Sequence, residues 1–146
     1  MVSISYKKIT SKGFESEYLT KKLRDYNSKA VGYNEPKPIG FVVYQDDQII
    51  AGMFGFIKWG WLYLDIAWVK DEFRKTGLGK KLLEKMGHAA LGAGVNKIRC
   101  ETGSFQSLDF YLKNGFENYA QNEITAPNGS SHTEYLLRKT ITSRIE

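Results

Sequence analysis

Residues 62–86 read LYLDIAWVKDEFRKTGLGKKLLEKM, and the reading of the whole chain turns on this stretch. Its first part, residues 62–69, is dense in aromatic and branched side chains, the composition of a strand. From Gly77 onward, Leu78, Leu82, Leu83 and Met86 recur three to four residues apart, which is one face of a helix. Between the two lies Arg74-Lys75-Thr76-Gly77-Leu78-Gly79. A strand, a glycine turn and a helix start together suggest an anion site. The first turn of a helix leaves backbone N–H groups without partners, and the helix dipole adds partial positive charge there. Glycines let a phosphate approach the backbone, and Lys75, Lys80 and Lys81 add full charges.

Two nucleotide-binding patterns fail at this site. The Rossmann fingerprint needs a third glycine where Leu82 stands, and the Walker pattern needs Gly at Arg74 and Ser or Thr at Lys81. A glycine turn capping an ordinary basic helix stays open as the plain alternative.

The composition bounds the rest. A chain of 146 residues with 42% hydrophobic content suits one domain, residues 1–146, with a real core. Its one cysteine, Cys100, permits no internal disulfide and points to a reducing compartment. The opening MVSISYKKIT has no apolar run of signal-peptide length, and no stretch suits a membrane span, so a soluble cytoplasmic protein is expected. The net charge of +5 is concentrated near the glycine turn, at Lys70, Arg74, Lys75, Lys80, Lys81 and Lys85.

Read in order, residues 2–9 alternate as a strand and residues 14–30 form a helix with Phe14, Tyr18, Leu19, Leu23 and Tyr26 on one face. Residues 33–38 contain two prolines and make a loop. Residues 39–45 and 48–58 are strands joined at Asp46-Asp47, and Trp59-Gly60 leads into the strand of the opening stretch. After the helix of about residues 77–91 come a strand at 96–102, a short helix at 106–114 and strands at 116–122 and 133–140. The strand at 96–102 follows a helical crossover and is expected to run parallel to its predecessor. The order β-α-β-β-β-α-β-α-β-β predicts an α/β (α+β) fold. Its sheet is mixed, mostly antiparallel, of about six to seven strands, and flanked by helices.

R-x-x-G-x-G after a strand resembles the pyrophosphate loop of the GNAT family of acyl-CoA N-acyltransferases. Phe110-Tyr111-Leu112-Lys113-Asn114-Gly115-Phe116 resembles that family's F-Y-x-x-x-G-F signature, in the expected order and about one strand further on. The element order matches the GNAT fold over nearly the whole chain, without a clear second helix near Tyr33. Trp59 to Asp65, Ser104-Phe105-Gln106 and His132 to Leu137 are similar to a subgroup of small bacterial GNAT proteins. There are two departures. Many members carry Gly where Lys75 stands, and Asn, a pantetheine or backbone contact, where Ser104 stands.

The resemblance implies an acetyl-CoA-dependent N-acetyltransferase. The backbone of Arg74, Lys75, Thr76, Gly77, Leu78, Gly79 and Lys80 would hold the pyrophosphate of coenzyme A. The strand at Ala67, Trp68 and Val69 would splay from the strand at 96–102 so that pantetheine fits between them. An N–H near Val69 would polarise the thioester oxygen, and Tyr111, beside the cofactor, would protonate the leaving thiolate. Phe110 and Phe116 are expected in the core.

The acceptor amine must lose a proton, which at neutral pH costs roughly 4–5 kcal/mol for a lysine-like amine. Asp65 is the first candidate to assist and Glu101, near the end of the adjacent strand, the second. Simple alternation places Asp65 on one face with Tyr63 and Ala67. An ordinary salt bridge is the competing reading for either carboxylate. His132 is a further candidate, and His88 is expected to have no catalytic role. Trp59, Trp61, Tyr63, Trp68 and Tyr33 could line a pocket for a cationic amine, though such residues are more often core.

The expected partner is a small-molecule amine, with no nucleic acid, membrane or metal, and a homodimer stays open. The rivals are a non-catalytic acyl-CoA-binding protein and a basic nucleic-acid-binding module. Tyr111 speaks against the first. Against the second, the aromatics are not interleaved with Lys and Arg in the sequence.

Overall fold

The computed structural model describes residues 2–142. The chain divides into two compact units, residues 1–35 and 36–146.

The first unit is built on α1 (Phe14–Val31). Gly13 stands at its N-cap, where its N–H donates to Ser16 Oγ at 2.9 Å, and Gly32 closes it at φ +76°. Arg24 pairs with Glu35 at 3.1 Å, and Asn34 Nδ2 donates to the carbonyls of Arg24 and Gly32, at 3.2 and 3.0 Å. The apolar residues Phe14, Tyr18, Leu19, Leu23 and Tyr26 are all exposed. The strand expected at residues 2–9 does not form. Those residues are exposed, without regular structure, and pair with no strand among the described residues. Period-two alternation makes a segment suited to a sheet edge, but a strand exists only when an edge takes its hydrogen bonds.

The second unit contains β1 (Lys37–Gln45), β2 (Gln48–Lys58), β3 (Trp61–Val69), α2 (Leu78–Gly92), β4 (Lys97–Gly103), α3 (Leu108–Lys113), β5 (Glu117–Thr125) and β6 (Ser131–Thr140). The six strands form one sheet in the order β1-β2-β3-β4-β6-β5. Neighbours pair antiparallel except β3 and β4, which run parallel as the helical crossover requires. Each expected element from the first helix onward is present, with ends shifted by up to three residues. Asp46 and Asp47 make the β1–β2 turn at φ 48° and 67°, the pair of positive values a tight hairpin demands.

The core lies between α2 and one face of the sheet. Leu82, Leu83, Met86 and Ala90 form the buried stripe of the helix. They pack in one cluster with Ala51 and Met53 of β2, Leu62 and Leu64 of β3, Ile98 and Cys100 of β4, and Leu137 of β6. Full burial of one leucine or methionine contributes roughly 1.5–3 kcal/mol, so this stripe holds α2 on the sheet.

β3 carries a bulge. Gly55 of β2 faces Leu64 while Phe54 faces Ile66, leaving Asp65 as the extra residue. At Gly55 the strands approach so closely that a Cβ would stand 2.0 Å from the Tyr63 carbonyl oxygen. The bulge inverts the facing of everything after it. Tyr63 sits opposite Phe56, on the face away from α2, with ring centroids 5.2 Å apart. Ala67 sits opposite Met53, on the α2 face. The expectation that Tyr63, Asp65 and Ala67 share a face is therefore corrected: one inserted residue exchanges the two faces.

Candidate active site

β3 and β4 part company after two residue pairs, Leu62 with Ile98 and Tyr63 with Arg99. Beyond them Asp65, Ile66, Ala67 and Trp68 are exposed, although they lie within a strand next to a central one. The expected splay is present, and the bulge at Asp65 stands where it starts. An open slot results, with unpaired β3 backbone on one side and Cys100, Thr102 and Gly103 of β4 on the other.

At the end of β3 the chain turns through a 3-10 segment, Asp71–Phe73. Arg74 Nε donates to the Val69 carbonyl at 3.1 Å and its guanidinium pairs with Asp71 at 3.2 Å. The Thr76 hydroxyl donates to the Phe73 carbonyl. Lys75 has φ 61°, the left-handed conformation that glycine holds most easily. This loop thus keeps the backbone path a glycine would give, with a lysine in place. Gly77 at φ 90° is the N-cap of α2, and a Cβ there would meet nothing within 4 Å, so conformation and not space calls for glycine.

The first helical hydrogen bond runs from the Lys81 N–H to the Gly77 carbonyl at 3.0 Å. Among the described residues, no protein group accepts from the N–H groups of Lys75, Thr76, Gly77, Leu78, Gly79 and Lys80. A consecutive run of free donors at a helix start, with no acidic side chain in the first turn, is built to take an anion with several oxygens.

Gly79 also serves packing. A Cβ on it would stand 3.1 Å from Cε1 and 3.2 Å from Cζ of Phe110, so the α2 start packs directly on that ring. Phe110 and Phe116 both pack in the core, as expected. Tyr111 lies between them, its ring edge-on to each at 5.1 and 5.3 Å. Only 6% of Tyr111 is exposed. Its hydroxyl has no hydrogen-bond partner among the described residues, yet it is not among polar atoms sealed from solvent. The phenol is buried in the body and open at the tip. Burial raises its pKa well above the ordinary value, with the neighbouring Cys100 adding to the effect. It stays protonated at any working pH.

Cys100 reports on the same surroundings. Burial, with Glu101 adding to it, pushes its thiol up to about 12.

Asp65 and Glu101 come together at Tyr63. The Tyr63 phenol has its pKa raised by burial first, then by the charges of Glu101 and Asp65, with Arg99 opposing. The Arg99 guanidinium stands 5.3 Å from that ring. Both carboxylates are exposed. Ser104 is engaged elsewhere: its N–H donates to the Thr133 carbonyl at 2.7 Å and its hydroxyl accepts from the Thr133 N–H at 3.1 Å. Trp59 and Trp61 each lie under a lysine, Lys58 at 4.2 Å and Lys97 at 5.3 Å. His88 is exposed on α2. A cleft of about 390 Å³ lies at the start of β4, lined by Trp61, Lys97, Gly115, Glu117, Arg138, Lys139 and Thr140.

Sequence reading missed two residues here. Gln106 Oε1 accepts the Gly103 N–H at 2.6 Å, and Thr102 Oγ1 accepts the Ser107 N–H at 3.3 Å. Together they close the turn that presents Tyr111. The Ser-Phe-Gln segment ahead of α3 was the available signal, since such side chains close turns on backbone groups.

Residues 36–118 match the family model of the acetyltransferase (GNAT) domain. The chain belongs to that family. Among curated proteins it is 30% identical over 86 residues to the blasticidin-S acetyltransferase of Streptomyces morookaense. That match spans 58% of this chain and 63% of the relative. Among solved structures it resembles an acetyltransferase from Bacillus cereus, with a TM-score of 0.77 and 26% identity over 92% of this chain and 98% of the other. It also shares the fold of an aminoglycoside 6′-N-acetyltransferase complexed with coenzyme A, with a TM-score of 0.62 and 16% identity over 88% of this chain and 94% of the other.

Proposed function

We propose that the protein transfers the acetyl group of acetyl-CoA to a primary amine of a small-molecule acceptor, by direct attack in a ternary complex. The observation that carries this reading is the run of free N–H groups from Lys75 to Lys80, next to the slot between β3 and β4. The run suits the pyrophosphate, and Lys75, Lys80 and Lys81 suit the remaining charge. The edge of β3 at Ala67, Trp68 and Val69 that β4 leaves without a strand partner suits pantetheine lying along the slot as an added strand. Membership of the acetyltransferase family and the likeness to a relative complexed with coenzyme A support the choice of cosubstrate.

The chain's residues then divide the work. A β3 N–H near Val69 stabilises the oxygen of the tetrahedral intermediate. The Tyr111 hydroxyl protonates the departing sulfur. Asp65 and Glu101 attract the cationic amine and relay its proton. Ser104 acts through the loop it holds and not through a free hydroxyl.

The test is a panel of primary amines with acetyl-CoA, following release of free thiol. Amine-dependent release supports the reading. Tight coenzyme A binding with no release for any amine would favour a non-catalytic binder instead.

A further inference from the structure

The loop joining β5 to β6 holds a hydrogen-bonded chain that the coenzyme loop and Tyr111 do not use. Asn128 Oδ1 accepts the Ser130 N–H at 3.0 Å and the Ser130 hydroxyl at 2.6 Å. Two donors converging on one atom identify it as the amide oxygen. The single hydroxyl proton of Ser130 is thereby committed to Asn128. Ser130 Oγ also lies 2.8 Å from His132 Nε2. That contact needs a proton, and only Nε2 is left to supply it. In the neutral ring the lone pair is then on Nδ1. Among the described residues Nδ1 has no hydrogen-bond partner, and the side chain is only partly buried.

The His132 ring sits near the end of β4. It lies edge-on to Phe105, with centroids 5.0 Å apart. Phe105 covers Gly103, where a Cβ would be 2.6 Å from the ring. The paired hydrogen bonds between Thr133 and Ser104 clamp this strand start to the end of β4. That end lies beyond the point where β3 has diverged, and the turn leading to Tyr111 begins there. Strand register puts His132 on the same sheet face as Glu134 and Glu101.

Resting on the acetyl-transfer reading above, we propose that His132 Nδ1 is the catalytic base that takes the proton of the acceptor amine. Nδ1 first takes one proton from the ammonium group, which frees the nitrogen lone pair, and passes it to solvent. The amine nitrogen then attacks the thioester carbon, the C–N bond forms and the C–S bond breaks. The second N–H proton passes to the neutral Nδ1, and the sulfur leaves with the electron pair and takes a proton from Tyr111. Exchange with solvent then returns the proton from imidazolium and restores tyrosine. Asp65 and Glu101 then only attract the cation, His132 taking over the proton relay assigned to them above, and Asn128 and Ser130 are positioning residues.

Two measurements test this on the full chain. Thiol release is followed with acetyl-CoA and ethanolamine, benzylamine, spermidine or kanamycin. His132→Ala is expected to lower kcat about 100-fold with the KM for acetyl-CoA unchanged, and added imidazole is expected to restore part of the rate. Nitrogen NMR of the His132 ring is expected to show the proton on Nε2 in the neutral form. An active wild type beside an equally active His132→Ala overturns this inference alone, as does a loss that imidazole leaves untouched or a neutral ring protonated at Nδ1. A wild type that binds coenzyme A but releases no thiol with any amine overturns the transfer reading, and this inference with it.

Discussion

Gly79 of α2 lies against the ring of Phe110 of α3, so closely that a Cβ on Gly79 would sit 3.1 Å from the ring edge. Phe110 adjoins Tyr111, with ring centroids 5.1 Å apart. The coenzyme loop and the proposed acid are thus braced against each other through one missing methyl group. Gly79→Ala gains about 0.5–1 kcal/mol of helix propensity but presses the ring, so its net effect on stability is expected within about 1 kcal/mol of zero. Gly79→Asp also sets a carboxylate beside the free N–H run and is expected to weaken coenzyme A at least tenfold, about 1.4 kcal/mol. Calorimetry checks both. Adding Phe110→Leu relieves the crowding but not the charge, so an affinity restored by that second change would mean the loss was steric.

Tyr111→Phe is expected to lower kcat by about 100-fold or more and to leave acetyl-CoA affinity nearly unchanged. The hydroxyl makes no hydrogen bond among the described residues, so stability should move by well under the ~1 kcal/mol of a lost buried hydrogen bond. Steady-state kinetics beside thermal unfolding separates the two. A variant that loses stability but keeps its rate makes the tyrosine structural.

Lys75→Gly is expected to stabilise the protein by up to about 1 kcal/mol. The lysine sits at φ 61°, where an L-residue is strained by roughly 1–2 kcal/mol, and the extra chain entropy of glycine offsets part of that. Thermal unfolding measures it. A clear drop in stability would show that the lysine side chain holds the loop.

Gly55→Ala is expected to destabilise by about 1–3 kcal/mol or more and to abolish thiol release. Its Cβ would stand 2.0 Å from the Tyr63 carbonyl oxygen, which belongs to backbone and cannot swing aside. Loss of the bulge closes the slot or inverts the residues beyond Asp65. Denaturant unfolding and coenzyme A titration give the two readouts. Undiminished binding in this variant would detach the slot from the bulge.

Alkaline stability tests the interior around Cys100. Its thiol ionises near 9.0 when free and is pushed up to about 12 in the fold. Between those values the folded state keeps a proton that the unfolded chain has lost. Stability is therefore full below about pH 9 and falls as pH rises toward 12. The loss is at most about 4 kcal/mol, since one pKa unit corresponds to about 1.4 kcal/mol. Cys100→Ala should flatten that decline, and equal slopes in the two proteins would argue against a buried thiol.

The local chemistry was legible in the chain. Leucine spacing located α2, Asp46-Asp47 located its hairpin, and the glycine turn followed by Phe110-Tyr111 marked the site, because helix periodicity, turn chemistry and helix-end charge are properties of neighbouring residues. Other features needed partners far away in sequence. Residues 2–9 alternate like a strand, yet no edge receives them among the described residues. Asp65 alternates with Tyr63 and Ala67, yet a bulge set by the close approach of Gly55 separates their faces. Ser104 stands where many family members carry a contacting Asn, and Thr133 takes both its backbone N–H and its hydroxyl. Gly79 reads as a phosphate contact, and the fold adds that it also seats a ring 31 positions later, at Phe110. From Phe14 onward sequence determined which segments are helix, strand and turn, since those follow from local backbone and side-chain preferences. The tertiary structure alone decided facing, register and partner, since a strand's hydrogen bonds and a side chain's packing are completed only by residues that the chain brings back from a distance.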